Sequence, residues 1–364
     1  LEAFIAVDLA NIAASASGVE QRIAACQADQ PVRVGLLLNP RARRLVGNRA
    51  RSRLHKLLPP DRIRETQDLA SLRRALGHLL CDARVNVLAT AGGDGTVHHV
   101  VNALLALSDE ARQAVGTAPP LPRILILNGG TLNIVGRTLA IHGPPQRTLT
   151  RFLRAFGGRR LSQVPARAMP AMVVAASGER PRCGFVFGSE VLYHSIELYM
   201  RFGAGYGGLS RFLFELARGA LTGGELWQRE AWKLGPFGLP LIVDGETYND
   251  YAAVVASTVD LTLAIGSVRA IRRPLGAAGF HAKVIAETEA RRILTMIPAL
   301  VSERSGAGII DHPNARSMRL YGPFTLDGEL YGAPALPRER VALSVDVLPD
   351  AIYGVPGEFG IRAS

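Results

Sequence analysis

A chain of 364 residues with 48% hydrophobic residues has the length for two domains and the apolar content for sizeable cores. Its 42 Lys and Arg, nearly all arginine, exceed 31 Asp and Glu for a formal charge of +11, which draws it toward phosphates or anionic headgroups. Aromatic residues stand at 6% and no recognition-helix or zinc-finger pattern is visible, so nucleic acid is not an expected partner. No apolar run reaches the ~18 residues that would cross a bilayer. The N-terminus lacks the basic stretch of a secretory signal, and Leu1 is not an initiator residue, which fits a processed or trimmed chain. Cys26, Cys81 and Cys183 have neither paired nor metal-ligand spacing and read as packing residues in a reducing compartment.

Residues 1–31 read as an N-terminal helical extension, with Phe4, Ile5, Val7, Leu9 and Ile12 as its apolar positions. Glu2 and Asp8 argue for packing against protein rather than a membrane surface. An α/β pattern follows over 32–148. It opens with a strand from Val34 to Leu38, then Asn39-Pro40 and a loop with Arg41, Arg43 and Arg44, which either neutralises phosphates or faces water. A helix from Arg49 to Leu58 leads through Pro59-Pro60 to a short edge strand, Ile63 to Thr66. The next helix carries Leu69, Leu72, Leu76, Leu79 and Leu80 and takes Thr66 or Asp68 as its cap.

A buried strand from Val85 to Thr90 runs into Ala91-Gly92-Gly93-Asp94-Gly95-Thr96 and a helix with Val97, Val100, Val101, Leu104 and Leu105 on one face. The device recurs as Ile124 to Leu127, then Asn128-Gly129-Gly130-Thr131-Leu132-Asn133 and a helix through Leu139. Alternation of strands and helices calls for a parallel sheet with right-handed crossovers. A boundary falls near Gly143-Pro144-Pro145, ahead of a helix at Leu149 to Phe156. Beyond it come short runs: Ala171 to Ala175, Cys183 to Phe187, Leu226 to Leu234, Leu241 to Val243 and Ala252 to Ser257. They imply a mainly antiparallel second domain over 149–339, with helices at Leu192 to Phe202, Leu209 to Leu221 and Glu287 to Val301. Gly203 to Gly208 reads as a helix connection. Residues from about 340 to 364, beginning with the strand Val341 to Leu348, return to complete the first domain.

Glycines around one aspartate, at a strand-to-helix turn, let the backbone approach a bulky anion, and the helix start at Thr96 supplies unbonded N–H groups. A phosphate chain is the expected ligand; the plainer alternative is an ordinary glycine turn with a solvated aspartate. Beside an anion, Asp94 needs Mg²⁺ or another neutralising partner. Two such turns at the carboxyl ends of parallel strands can face one crevice. Neither is a Walker A loop or a Rossmann fingerprint.

With Asn39-Pro40, these turns resemble the nucleotide-binding motifs of the diacylglycerol kinase catalytic-domain family, which includes bacterial lipid kinases and sphingosine kinases. The resemblance runs from about residue 32 to 349. It implies a three-layer α/β/α nucleotide-binding domain followed by a β-sandwich domain. It also implies an ATP-dependent lipid kinase acting on a diacylglycerol-like or sphingoid-like hydroxyl, cytoplasmic, with peripheral contact at the inner membrane face. Asn39, Thr66, Gly92, Gly93, Asp94, Gly95, Thr96, Gly130, Thr131 and Asn133 are then the nucleotide-binding residues. Asp94 works with Mg²⁺ in catalysis. The chain departs from the family in several places: Ala42-Arg43 stand where Ser-Gly is common, His98-His99 replace Asn-Glu, Ile134 replaces Asp, and Ala278 stands where an aspartate helps hold a structural Mg²⁺.

Asp-Gly-Glu occurs as Asp244-Gly245-Glu246 and as Asp327-Gly328-Glu329. A hairpin turn produces the same residues, so position decides. The later copy follows the strand Phe324 to Leu326, where the family has its catalytic turn, so Asp327 and Glu329 are the candidate base and its partner. The earlier copy reads as a solvated hairpin. The glycine turns and the later acidic turn are expected to meet around one polyphosphate. Two rival classes share these features: an NAD kinase-like enzyme, and a non-catalytic nucleotide- or lipid-binding relative.

Overall fold

The computed structural model describes residues 30–116, 120–202, 238–262, 278–287, 308–332 and 340–359, with residues 211, 214, 215, 218, 219, 222–224, 228, 269–271, 289, 292, 293 and 296 between them. The expected N-terminal helix, the Gly203 to Gly208 stretch and most of the run Leu226 to Leu234 lie outside the described residues.

The first compact unit ends at Pro170 and is rejoined by the chain from Asp350. It contains β1 (Val34–Leu38), α1 (Asn48–His55), β2 (Ile63–Glu65), α2 (Leu69–Gly77), β3 (Val87–Gly92), α3 (Asp94–Val115), β4 (Arg123–Asn128), α4 (Ile134–Thr138) and α5 (Pro145–Phe156). The strand order β2-β1-β3-β4 is parallel throughout. The step from β1 to β2 goes one way and the step from β2 to β3 returns past β1. Right-handed crossovers therefore put α1 on one face and α2 and α3 on the other. The contacts agree: α2 packs on α3, and α1 on α5. With helices on both sides, β1 and β3 are buried along their whole length, which is why both read as unbroken apolar runs.

The apolar face of α3 is the one its spacing implies, with Val97, Val100, Val101 and Leu104 buried. Asp68 caps α2 by accepting from Ser71 N–H, and Ser71 Oγ accepts in return from Asp68 N–H, a capping box that excludes Thr66 from that role. The unit extends to Pro170 rather than stopping near residue 148 because α5 is part of its core. Leu149, Phe152 and Phe156 are buried there, and both phenylalanine rings meet Phe359 edge-on at 5.6 and 6.3 Å.

The second unit runs from Ala171 to Pro349. Its strands are β5 (Arg167–Ala176), β6 (Arg182–Gly184), β7 (Val186–Ser189), β8 (Leu241–Val243), β9 (Glu246–Tyr248), β10 (Ala253–Ser257), β11 (Leu261–Thr262), β12 (Arg269–Ile271), β13 (Phe280–Ile285), β14 (Ile309–Ala315), β15 (Ser317–Tyr321), β16 (Phe324–Leu326), β17 (Glu329–Tyr331) and the start of β18 (Ala342–Gly354), with α6 at Val191–Met200. One sheet has the order β18-β15-β8-β9, with β5 paired to β6; the other is β14-β13-β10-β7-β16-β17. The pairings of β5 with β6, β7 with β10 and β16, β13 with β10 and β14, β15 with β8 and β18, β8 with β9, and β16 with β17 are antiparallel. Met172, Val243, Met318 and Val345 from the first sheet share a core with Phe187, Val254, Ala282 and Leu326 from the second, so the unit is a β-sandwich. The chain changes sheet twice within a single residue, at Phe185 between β6 and β7 and at Arg316 between β14 and β15.

Candidate nucleotide site

Register lines up the carboxyl ends of the parallel strands: Leu38 faces Glu65 on one side and Ala91 on the other, and Ala91 faces Leu127. The residues that follow, Thr66, Asn39, Gly92 and Asn128, form the next row, at the edge where open α/β sheets bind ligands. Thr66 N–H and Oγ1 both turn back to Leu38 O, at 2.9 and 3.4 Å. Asn39 is the tie across the row. Its N–H donates to Ala91 O at 2.9 Å, its Nδ2–H to Thr96 Oγ1 at 2.9 Å, and its Oδ1 accepts from Arg41 N–H at 3.0 Å.

Both glycine turns meet backbone to backbone. Gly129 N–H donates to Gly92 O at 2.8 Å. A Cβ on Gly130 would stand 2.5 Å from Gly93 Cα, and one on Gly129 would stand 3.1 Å from the backbone of Gly92. On Gly92 it would strike the Thr96 side chain at 2.3 Å. The glycines are thus required first by the closeness of the two turns to each other. The second turn is also closed on itself: Asn133 Oδ1 accepts from Gly130 N–H and its Nδ2–H donates to Gly130 O, both at 3.0 Å, from a residue at φ 50°. Asparagine tolerates that left-handed backbone. Its amide shapes the turn, so Asn133 serves by holding Gly130 and Thr131 in place.

Helix α3 starts earlier than its apolar face implies, with Gly93 as N-cap and Asp94, Gly95 and Thr96 in the first turn. The first intrahelical bond is Val97 N–H to Gly93 O, which leaves the N–H groups of that first turn directed out of the helix at its positive end. Asp94 Oδ1 accepts from Val135 N–H at 3.4 Å, linking the first helix start to the second. A backbone N–H is thus one neutralising partner for the carboxylate. Above the turns, Arg44 N–H donates to Gly129 O at 3.0 Å and its guanidinium to Asn128 O at 3.4 Å, while Arg41 and Arg43 are exposed. The arginine loop is therefore anchored on the second glycine turn rather than free in water. His98 is buried, and Asn102 Nδ2–H donates to its carbonyl at 2.9 Å, so it is a core residue of α3.

A phosphate chain suits this donor set: helix-start N–H groups, the Thr96 hydroxyl, glycine backbone and nearby guanidinium groups. Among the described residues no three His, Cys, Asp or Glu side chains gather as a metal cage. Mg²⁺ is commonly held by one or two carboxylates plus phosphate oxygens, and Asp94 is the carboxylate that the turns offer.

Asp327 and Glu329 lie in the second unit, at the hairpin between β16 and β17. Asp327 Oδ1 accepts from Phe185 N–H and Val186 N–H, each at 2.9 Å. The earlier copy is an exposed hairpin turn between β8 and β9, as read from the sequence, and Asp244 Oδ1 also accepts from Ser317 N–H at 2.9 Å and Arg316 N–H at 3.1 Å. Of the departures from the family pattern, Ala278 precedes Gly279, whose N–H donates to Asn314 Oδ1 at 2.8 Å.

The second unit also holds an acid that sequence reasoning missed. Glu190 sits at φ 54°, ψ −116°, 1% exposed, ion-paired with the buried Arg340. Burial pushes its carboxyl up to about 7 against the pull of Arg340. Its partner is 150 residues away, beyond the reach of any local pattern.

Residues 33–157 match the family model of the diacylglycerol kinase catalytic domain, so the family resemblance read from the motifs holds over that stretch. That match supports a lipid kinase family for this stretch. No curated protein sequence matches the chain. Among solved structures, a diacylglycerol kinase from Bacillus anthracis str. Sterne superposes with a TM-score of 0.56 at 16% identity, covering 89% of this chain and 96% of that one. Two further structures from the same strain, both proposed diacylglycerol kinases, give a TM-score of 0.59 at 17% identity, over 89% of this chain and 97% or 96% of theirs. At such identities the likeness is one of fold.

Proposed function

We propose that the protein is an ATP-dependent lipid kinase that transfers the γ-phosphoryl group to the hydroxyl of a diacylglycerol-like or sphingoid-like lipid. The observation that carries this reading is the joining of the two glycine turns, backbone on backbone, beneath the start of α3. That junction makes one phosphate cradle from what the sequence shows as two separate motifs. Gly92, Gly93 and Gly95, with Gly130 and Thr131, line the cradle. Asn39 and Thr96 lock the row beside it, and Thr66 closes its far end. Arg41 and Arg43 make the local potential more positive and so lower the energy of the anion.

Asp94 would hold Mg²⁺, which would supply charge neutralisation to the phosphates. What remains for the chain is positioning and removal of the acceptor's proton, a carboxylate's task assigned to the turn Asp327-Gly328-Glu329. The net positive charge suits approach to an anionic membrane surface, where such acceptors reside.

The test is transfer from labelled ATP, with Mg²⁺, to diacylglycerol or sphingosine in mixed micelles, run beside NAD as acceptor. Labelled lipid is the expected product. Labelled NAD would move the assignment to the rival enzyme class, and nucleotide binding without transfer to any acceptor would leave a binding protein.

A further inference from the structure

Two long stretches of the sequence contain no acid, residues 30–60 and residues 111–178. Together they hold 17 of the 42 Lys and Arg and none of the 31 Asp and Glu, so the rest of the chain carries more acid than base. The fold of the first unit brings the two stretches together. Val32 N–H donates to Arg159 O and Leu161 N–H to Gln30 O, each at 2.8 Å, and α1 packs on α5 over one side of the parallel sheet.

Both helices present the same pattern. On α1 and its C-cap, Arg49, Arg53 and Lys56 recur at i, i+4 and i+7 and are exposed, while Leu54 is buried. On α5, Arg147, Arg151 and Arg154 recur at the same spacing, exposed on the side away from the buried Leu149, Phe152 and Phe156. Arg151 Cζ stands 5.6 Å over the Phe359 ring and Arg159 Cζ 5.9 Å over that of Phe156. A guanidinium resting on a ring keeps its N–H groups for an anion.

This pattern works against the helices that carry it. Like charges four residues apart repel. Arg49 and Arg147 also stand in first turns, at the positive ends of helices whose first turns hold no acid. Across the sheet the charges are matched instead: Arg73 pairs with Glu110, Arg112 with Asp109 at 3.2 Å and His78 with Asp82 at 2.8 Å. Charge of one sign, confined to one face and unfavourable to both its helices, calls for an anionic partner that offsets it.

What the face lacks decides which partner. Among the described residues neither helix exposes a large apolar side chain, so the anchor around which a protein interface is built is missing. The phenylalanines of α5 are buried rather than offered to unstacked bases, and two helices side by side on a sheet make a broad face, not a rod that enters a duplex groove. We infer that the face formed by α1 and α5 docks on an anionic lipid bilayer, its cations meeting headgroup phosphates. This inference rests on the kinase reading only for its consequence, that docking brings the enzyme to a membrane-borne acceptor; docking itself needs no catalysis.

The experiment measures co-sedimentation of the full chain, without nucleotide, with vesicles of phosphatidylcholine alone or mixed with phosphatidylglycerol. Three triple variants of equal charge loss are compared, with unfolding midpoints to confirm that each is folded. One is Arg147→Gln, Arg151→Gln and Arg154→Gln; the second is Arg49→Gln, Arg53→Gln and Lys56→Gln; the third, on the opposite side of the sheet, is Arg73→Gln, Arg74→Gln and Arg112→Gln. The wild type should bind only the anionic vesicles and should leave them when salt rises from about 0.1 M to about 1 M, as the screening length falls from about 10 Å to about 3 Å. The first two triples should each bind roughly 10²-fold more weakly, about fivefold for each cation removed, and the third should bind like the wild type. Transfer from ATP with Mg²⁺ to a water-dispersed short-chain diacylglycerol should be equal in the wild type and the α5 triple, whereas transfer to diacylglycerol in anionic vesicles should fall with binding.

Equal weakening in all three triples would overturn the inference, since net charge rather than this face would then govern binding. Binding to phosphatidylcholine alone would overturn it too, as would tighter binding to a duplex oligonucleotide that the α1 and α5 triples abolish. If the wild type phosphorylates no lipid alcohol, the kinase reading falls, and sedimentation alone judges the docking face.

Discussion

Replacing Gly130 with alanine tests the junction on which the nucleotide cradle depends. The added Cβ would lie 2.5 Å from Gly93 Cα, where ordinary contacts span 3.4–4 Å, and the atom it meets is backbone. One turn must therefore retreat by about 1 Å. Overpacking of this kind costs roughly 1–3 kcal/mol in stability, and a displacement of that size at a reacting centre can cost about 10²-fold in rate. Gly93→Ala meets the same neighbour from the other side at 3.2 Å and needs a shift of only a few tenths of an ångström. It should be the milder change. Gly77→Ala is the control, since nothing lies within 4 Å of its Cβ and it ends α2. Urea unfolding, titration with an ATP analogue and Mg²⁺, and transfer to lipid would be measured on all three. The expected order of damage is Gly130, then Gly93, with Gly77 neutral or stabilised by about 0.5–1 kcal/mol. If Gly130→Ala binds nucleotide with wild-type affinity and unfolds at the wild-type midpoint, the two turns do not form one cradle and the argument from their contact is wrong.

Removing the Asn39 side chain deletes its bond to Thr96 and its acceptor for Arg41; Asn39→Ala should cost about 1 kcal/mol of stability and weaken nucleotide binding, as read by calorimetry. Glu190 predicts a pH dependence. Its carboxyl is raised from 4.5 to about 7 in the fold, so between those values the folded chain holds a proton that the unfolded chain has released. The stabilisation is complete below about pH 4.5 and is lost as pH rises through about 7, on the order of 3 kcal/mol in all. Denaturant midpoints measured from pH 5 to 8 should fall for the wild type and stay nearer level for Glu190→Gln. Chelation by EDTA should stop transfer from ATP, because Asp94 is proposed to act with Mg²⁺.

The first unit was legible in the sequence because its signals are local. Val34 to Leu38 and Val87 to Gly92 are continuous apolar runs since helices cover both faces, and the face of α3 repeats at helical spacing. Strand ends were less legible. Gly92 and Asn128 read as turn residues, yet they pair with each other in the ladder, because two adjacent strands hold each other extended beyond the point where propensity would stop them. The reason for the double glycines was hidden in the same way: each turn alone invites an anion, and only Gly93 against Gly130 shows that the turns press on each other.

Motif position chose the later acidic turn but left open which of its carboxylates is the base, and what each aspartate binds was hidden by distance along the chain. Asp327 meets the amides of Phe185 and Val186 across 142 and 141 residues, and Asp244 meets those of Arg316 and Ser317 across 72 and 73. Nothing within either hairpin reports those partners. A tight Asp-Gly turn favours the positive φ that a hairpin needs, whatever the carboxylate then does. Chemistry and architecture consequently select the same three residues, and motif position alone gives the first aspartate and the glutamate equal standing. The sheet-changing corners give each aspartate an architectural role, because the amides at each corner fix where one of its oxygens must be.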